Sequence, residues 1–337
     1  MENTFHIQWH VTDFCNLRCR HCYQSDFTSG SQLPFGKLEK IFAGMTAFAD
    51  GEGRKLVIDI TGGEPFLHEN WHDIISMVNR SPSVAESGII SNGFFLDSPS
   101  VKRLEALENF RIKISAEGLD RENYEHFRGR ATFDRFRKSC GLLRDSSLEK
   151  VLMFTVFEGS LARIGGLLEF MDEYGFSKAI IERFIPWGRG SEIRASVISR
   201  GEWKEILRFL ASRCGLDDCL GDMIPYRGFM VEKAGPSYEL FGAPCIIGRD
   251  GVAVMPDGTV FPCRRFPMPV GNLALESLGK ILKDSPVLKS LAGRKFLKGR
   301  CKTCIIDNCF GCRALAYSIT GDFLQEDPRC IYGTEKG

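Results

Sequence analysis

The feature that most restricts the fold of this 337-residue chain is an alternation repeated about six times between residues 5 and 184. In each repeat a short apolar run rich in β-branched residues is followed by a longer segment whose apolar residues recur at helical spacing. The runs cover residues 5–11, 56–60, 87–90, 111–115, 151–157 and 179–184, and segments 35–49, 71–79, 98–107, 133–143 and 161–174 read as amphipathic helices. This repetition predicts a parallel sheet with right-handed crossovers. A closed eight-unit barrel takes about 250 residues, more than the stretch up to Pro225 provides. The expectation is an α/β fold, a partial (β/α)6 TIM-like barrel that stays open, with its chemistry in the loops after the C-terminal strand ends.

Past Gly235 the texture changes, because Gly, Pro and Cys rise and helical spacing is confined to about residues 277–291. A boundary near Ala234-Gly235-Pro236 divides the chain into 1–234 and a smaller cysteine-rich domain, 235–337. Lys and Arg number 44 against 43 for Asp and Glu, so the formal charge of +1 gives no reason to expect nucleic acid as a partner. The start lacks a basic segment followed by an apolar run, and no stretch of about 18 apolar residues occurs. The expected setting is cytoplasmic, with no membrane partner. Thirteen cysteines in such a chain point to metal or redox chemistry rather than a disulfide scaffold.

Cys15, Cys19 and Cys22 put three thiols within eight residues directly after the first strand. Three thiolates on a cubic cluster leave one iron without a protein ligand, and an open position marks a catalytic metal site. A zinc site completed by His10 or His21 is the alternative. The CxxxCxxC spacing resembles the signature of radical S-adenosylmethionine (SAM) enzymes. That resemblance implies a 4Fe-4S cluster whose open iron is chelated by S-adenosylmethionine, which is cleaved to a 5'-deoxyadenosyl radical. His21 departs from the aromatic residue usual before the third cysteine.

After the second strand, Thr61-Gly62-Gly63-Glu64-Pro65 offers paired glycines that permit close backbone approach and an acidic group for an ammonium. A plain strand-to-helix turn is the alternative. The segment resembles the family's GGEP motif, which implies that Gly62, Gly63 and Glu64 meet the methionyl amino group of S-adenosylmethionine. Ser91-Asn92-Gly93 and Ser115-Ala116-Glu117-Gly118 resemble further pocket segments, with Asn92 and Ser115 as cofactor contacts and Glu117 where Asp is usual. Arg128 or Arg183 is the candidate partner for the methionyl carboxylate, a solvated surface arginine being the alternative for each. Residues 185–190 resemble a late Gly-containing loop that meets adenine or ribose.

Seven thiols, Cys245, Cys263, Cys301, Cys304, Cys309, Cys312 and Cys330, crowd the C-terminal region. A zinc ribbon would use four and leave three unexplained. The layout resembles the SPASM domain, which implies one or two auxiliary iron-sulfur clusters. By that resemblance Cys245, Cys263 and Cys312 serve the first and Cys301, Cys304, Cys309 and Cys330 the second, although the quartet has x4 and x2 spacing where x5 and x3 are commonest. Cys214 and Cys219 are candidates for a fourth thiolate on the first cluster; a hydrogen-atom donor, an ordinary apolar thiol and an open iron that binds substrate are the other readings.

Relatives with this layout mostly modify peptides, so the resemblance implies first a peptide-modifying radical enzyme, in ribosomal peptide or cofactor-precursor maturation. The second reading is a small-molecule enzyme acting on tetrapyrrole side chains, with Arg183, Arg189, Arg194, Arg264 and Arg265 available for propionates. A non-enzymatic iron-sulfur or zinc protein is the third, and it leaves the Gly-Gly-Glu-Pro segment unexplained. The family further implies an electron donor such as ferredoxin or flavodoxin. The chain begins almost at its first strand, so a peptide substrate is expected to need a separate recognition protein or a short motif. Asp257, Glu182 and His10 are acid or base candidates by position alone.

Overall fold

A computed structural model describes residues 3–28, 30, 32–216, 220–243, 245–307 and 309–332. All six expected strands form: β1 (Thr4–His10), β2 (Lys55–Thr61), β3 (Val84–Ser91), β4 (Phe110–Ala116), β5 (Glu149–Val156) and β6 (Lys178–Arg183). They pair parallel in chain order. The connecting helices are α1 (Phe35–Gly51), α2 (Trp71–Asn79), α3 (Ser98–Glu105), α4 (Arg121–Arg128), α5 (Phe133–Arg144) and α6 (Leu167–Tyr174). Every residue of β2 after Lys55 is buried, as a parallel strand covered on both faces requires. Helix α1 buries Leu38, Ile41, Phe42, Met45 and Ala49 along one face. Phe42 stacks on Trp9 of β1 at 6.2 Å between ring centroids, so truncating Trp9 to Ala removes about 3–5 kcal/mol of packing.

The sheet does not stop at six strands. Past α7 (Arg200–Arg213) the chain forms β7 (Gly228–Ala234) and β8 (Ser237–Ala243), an antiparallel hairpin on the free edge of β6. The boundary read at 234/235 thus falls in the turn of this hairpin. The chain then crosses to the opposite edge, where β9 (Gly251–Val254) pairs parallel with β1 and is followed by β10 (Thr259–Phe261) and β11 (Gly271–Asn272). Among the described residues the eleven strands run β11-β10-β9-β1-β2-β3-β4-β5-β6-β7-β8. The barrel is open, and the C-terminal part is joined to it by strand pairing. No helix among the described residues is long and apolar enough to cross a membrane.

Helix α4 was not legible in the sequence, because its buried apolar residues are only Tyr124 and Phe127, too few to show a period. It starts at Asp120, whose carboxylate accepts from Asn123 N–H at 2.9 Å, and its last turn delivers Arg128 to the site.

Candidate active site

The loop carrying Cys15, Cys19 and Cys22 leaves β1 and is held from two sides by backbone contacts that only glycine permits. Gly63 N–H donates to the Thr12 carbonyl at 2.7 Å and Glu64 N–H to that of Phe14 at 2.9 Å. A Cβ on Gly62 would lie 2.2 Å from Thr12 O, and one on Gly63 2.3 Å from Phe14 O. The glycine pair therefore brings the cysteine loop itself against the end of β2. From the side of β6, Gly190 N–H donates to Cys22 O at 2.8 Å and Arg189 N–H to Gln24 O at 3.1 Å. Gly188 has φ +56°, and a Cβ there would lie 2.1 Å from Tyr23 O. The late Gly-containing loop is thus a second clasp on the cysteine loop.

One cavity is lined by Cys15, Cys19 and Cys22 together with Gly62, Gly63, Asn92, Ser115 and Arg128. Of the cofactor residues expected from the sequence, this cavity brings together five and leaves out Glu64 and Arg183. The Glu64 carboxylate is buried behind the wall, accepting from Ser91 Oγ at 2.8 Å, Asn92 N–H at 2.9 Å and Phe66 N–H at 3.3 Å. Burial raises its pKa to about 7 against these hydrogen bonds. Arg183, buried at the end of β6, turns to Asp327 at 3.3 Å and to the Arg329 carbonyl at 3.3 Å. A buried carboxylate at that spot attracts the guanidinium away from the cavity.

Arg128 donates to Glu117 at 2.5 and 2.8 Å, and His21 Nε2 lies 3.1 Å from the same carboxylate. Burial works to raise Glu117, but Arg128 and His21 overcome it and hold the pKa at about 2. The His21 ring sits edge-on to Phe127 and Phe157 at 5.9 and 5.7 Å. His10 is fully buried outside the cavity wall, and burial takes its pKa down to about 3. Burial likewise pushes Cys19 up to about 12 and Cys22 up to about 11. As bare thiols they stay protonated and inert, so their use as ligands requires a bound cation to stabilise the thiolates. Leu17 N–H at 3.4 Å from Cys15 Sγ and Gln24 N–H at 3.5 Å from Cys22 Sγ point at the sulfurs, as suits a thiolate-held cluster.

The opposite wall comes from the C-terminal part. Cys263 N-terminally flanks a tight turn closed by Phe266 N–H donating to Cys263 O at 2.9 Å, and the two residues between, Arg264 and Arg265, line the cavity. Both reach Glu182, at 2.7 and 3.1 Å. Burial tends to raise Glu182, and Arg265 and Arg264 outweigh it, keeping the carboxylate charged. No motif flagged Glu182 as their partner; the Arg-Arg pair after Cys263 was the only hint.

The C-terminal thiols sort into two groups. Cys301, Cys304, Cys309 and Cys330 line one pocket with Asp327 at its edge. Cys245 lies with Cys263 and Cys312, near enough that, beyond burial, their charges help push its thiol up to about 11. Among the described residues, no three His, Cys, Asp or Glu side chains converge on a single metal ion; Cys301, Cys304, Cys309 and Cys330 ring a pocket instead, a donor set that fits a multi-iron cluster. Cys214 caps the end of α7 and packs against the barrel core, and Cys219 lies outside the described residues.

Residues 9–171 match the radical SAM superfamily, and residues 245–310 match SPASM, an iron-sulfur cluster-binding domain. The AdoMet-dependent heme synthase of Methanosarcina barkeri is 27% identical over 342 residues, covering 97% of this chain and 96% of that protein. The antilisterial bacteriocin subtilosin biosynthesis protein AlbA of Bacillus subtilis is 26% identical, covering 85% of this chain and 61% of its own length. The crystal structure of Streptococcus suis SuiB bound to precursor peptide SuiA superposes with a TM-score of 0.74 at 15% identity, covering 98% of this chain and 76% of that one. Matched in order, one around the cysteine loop and the other over Cys245 to Cys309, the two family models show a radical SAM domain followed by a SPASM domain in this chain.

Proposed function

We propose that this enzyme abstracts hydrogen from a carboxylate-bearing small molecule of the tetrapyrrole type, docked with a carboxylate toward Arg264 and Arg265. The carrying observation is that these two half-buried guanidiniums share the single carboxylate of Glu182, which leaves positive charge in the wall facing the cysteine loop. Arg128 is different, because Glu117 already balances it. The full-length similarity to a heme synthase supports the same substrate class.

In this reading Cys15, Cys19 and Cys22 would hold a 4Fe-4S cluster, with S-adenosylmethionine between them and Ser115, Asn92 and the glycine pair. When bound, the cluster and S-adenosylmethionine supply a 5'-deoxyadenosyl radical. The chain's own residues orient and shield: Phe184, Ile185 and Met153 give the cavity an apolar lining that limits water, and the two glycine clasps fix the loop. The SPASM-like part follows the β7–β8 hairpin, and its two thiol groups would hold auxiliary clusters. A ferredoxin- or flavodoxin-type protein is the electron donor.

The test uses anaerobically reconstituted enzyme and an iron porphyrin deuterated in its propionate side chains. Deuterium in the 5'-deoxyadenosine supports the proposal; turnover with no deuterium transfer overturns it. A second reading, modification of a peptide, is favoured by the similarity to AlbA. It predicts deuterium transfer from a labelled precursor peptide instead, with a separate recognition protein as partner.

A further inference from the structure

Between the two C-terminal thiol groups lies an ion pair between Arg227 and Asp327. Asp327 is fully buried, and its Oδ2 accepts from Cys312 N–H at 2.9 Å while its own N–H points at Cys301 Sγ at 3.4 Å. It therefore touches one member of each group. Arg227, from the segment before β7, has its Nε 3.7 Å from the same carboxylate and donates to Cys309 Sγ. Two backbone carbonyls, of Ile224 and Tyr226, hold its other nitrogen at 3.0 Å each. Arg183 completes the set from the end of β6.

The pair is costly to bury. Two charges taken out of water are repaid only if their geometry is satisfied on all sides, and a fixed charge at low dielectric acts strongly on whatever lies beside it. What lies beside this pair is sulfur: the charge of Arg227 interacts with Cys309, Cys312 and Cys330, members of both groups. Cluster potentials respond to nearby net charge and to hydrogen bonds on the sulfurs.

We propose that Arg227 and Asp327 form an electrostatic bridge that sets the reduction potentials of the two auxiliary clusters against each other. Arg227 favours the reduced, more negative state of the cluster held by Cys301, Cys304, Cys309 and Cys330, and Asp327 opposes it while pinning Cys312. Both are positioning residues, and the inference rests on the reading that each thiol group holds a cluster.

The experiment is a redox titration followed by EPR on anaerobically reconstituted protein, alongside iron and sulfide counts. Arg227→Gln is expected to shift an auxiliary signal to lower potential and Asp327→Asn to shift one to higher potential, with the S-adenosylmethionine-site signal unmoved in both. Asn keeps an acceptor for Cys312 N–H, so it isolates the charge. Unchanged potentials, or shifts of the same sign in both variants, overturn the bridge. If Arg227→Gln fails to load its clusters, the direction of the Asp327→Asn shift decides; if neither variant loads while the Cys15 site does, the pair serves assembly and the tuning role is overturned. A wild-type protein that holds no auxiliary cluster would instead refute the underlying reading, and the counts distinguish the two failures.

Discussion

Arg128 and Glu117 meet in two hydrogen bonds, at 2.5 and 2.8 Å, with both side chains almost wholly buried beside the cysteine loop. Glu117 stands where an Asp was expected, and its longer side chain is engaged by both Arg128 and His21. Removing one partner leaves the other charge buried and uncompensated. Glu117→Gln is expected to destabilise the fold by about 3–5 kcal/mol. The double variant Glu117→Gln with Arg128→Met should lose less than the sum of the two singles, measured as urea unfolding free energies in a double-mutant cycle; additive losses would mean the two side chains do not act as a pair.

Glu64 gives a dependence on pH of opposite sign to the usual carboxylate. Its folded-state pKa is raised from 4.5 to about 7, so between these values the folded chain holds a proton that the unfolded chain has lost. Stability therefore falls as pH rises through that window, by about 3 kcal/mol for a shift of this size. Urea midpoints measured across the window should decline for the wild type, and that decline should vanish in Glu64→Gln.

Gly63→Ala places a methyl 2.3 Å from Phe14 O and 2.5 Å from Asp13 O, so the cysteine loop must move. The expected loss of stability is about 1–3 kcal/mol. Iron bound by the N-terminal site should drop while the far-ultraviolet circular dichroism stays that of a folded α/β protein. Full iron loading in this variant would show that the loop does not need its clasp.

Arg264→Gln removes one of the two guanidiniums on Glu182. A lost charge-assisted hydrogen bond to a substrate carboxylate costs about 1.5–3 kcal/mol, so KM should rise by about ten- to a hundredfold. Uncoupled S-adenosylmethionine cleavage, which needs no substrate carboxylate, should persist. A normal KM would place the substrate elsewhere.

The two thiol groups should come apart chemically. Replacing Cys301, Cys304, Cys309 and Cys330 by Ala is expected to remove one cluster's iron and sulfide and to abolish substrate turnover, with some S-adenosylmethionine cleavage retained. Mössbauer spectra of the wild type provide the check that does not depend on folding of the variant, since a loop-rich domain can rely on its metal for stability. A maximum of one cluster per chain after full reconstitution would contradict two C-terminal groups in use.

By itself the sequence determined the six parallel strands, the open barrel and the clustering of thiols at both ends of the chain, because these rest on local periodicity and short spacings that any fold must respect. It determined that Gly62 and Gly63 were needed, though not for what: the atoms they approach belong to Thr12 and Phe14, some fifty residues away. The destinations of charged side chains were decided by tertiary structure alone. Arg183 pairs with Asp327 across 144 positions and Arg264 with Glu182 across 82, and no local pattern encodes which buried carboxylate a guanidinium will find. The same holds for the sheet edges. Strands β7 to β11 are short or border-placed and extend the sheet from the edges of β6 and β1, since a strand's hydrogen bonds belong to its neighbours and not to its own sequence.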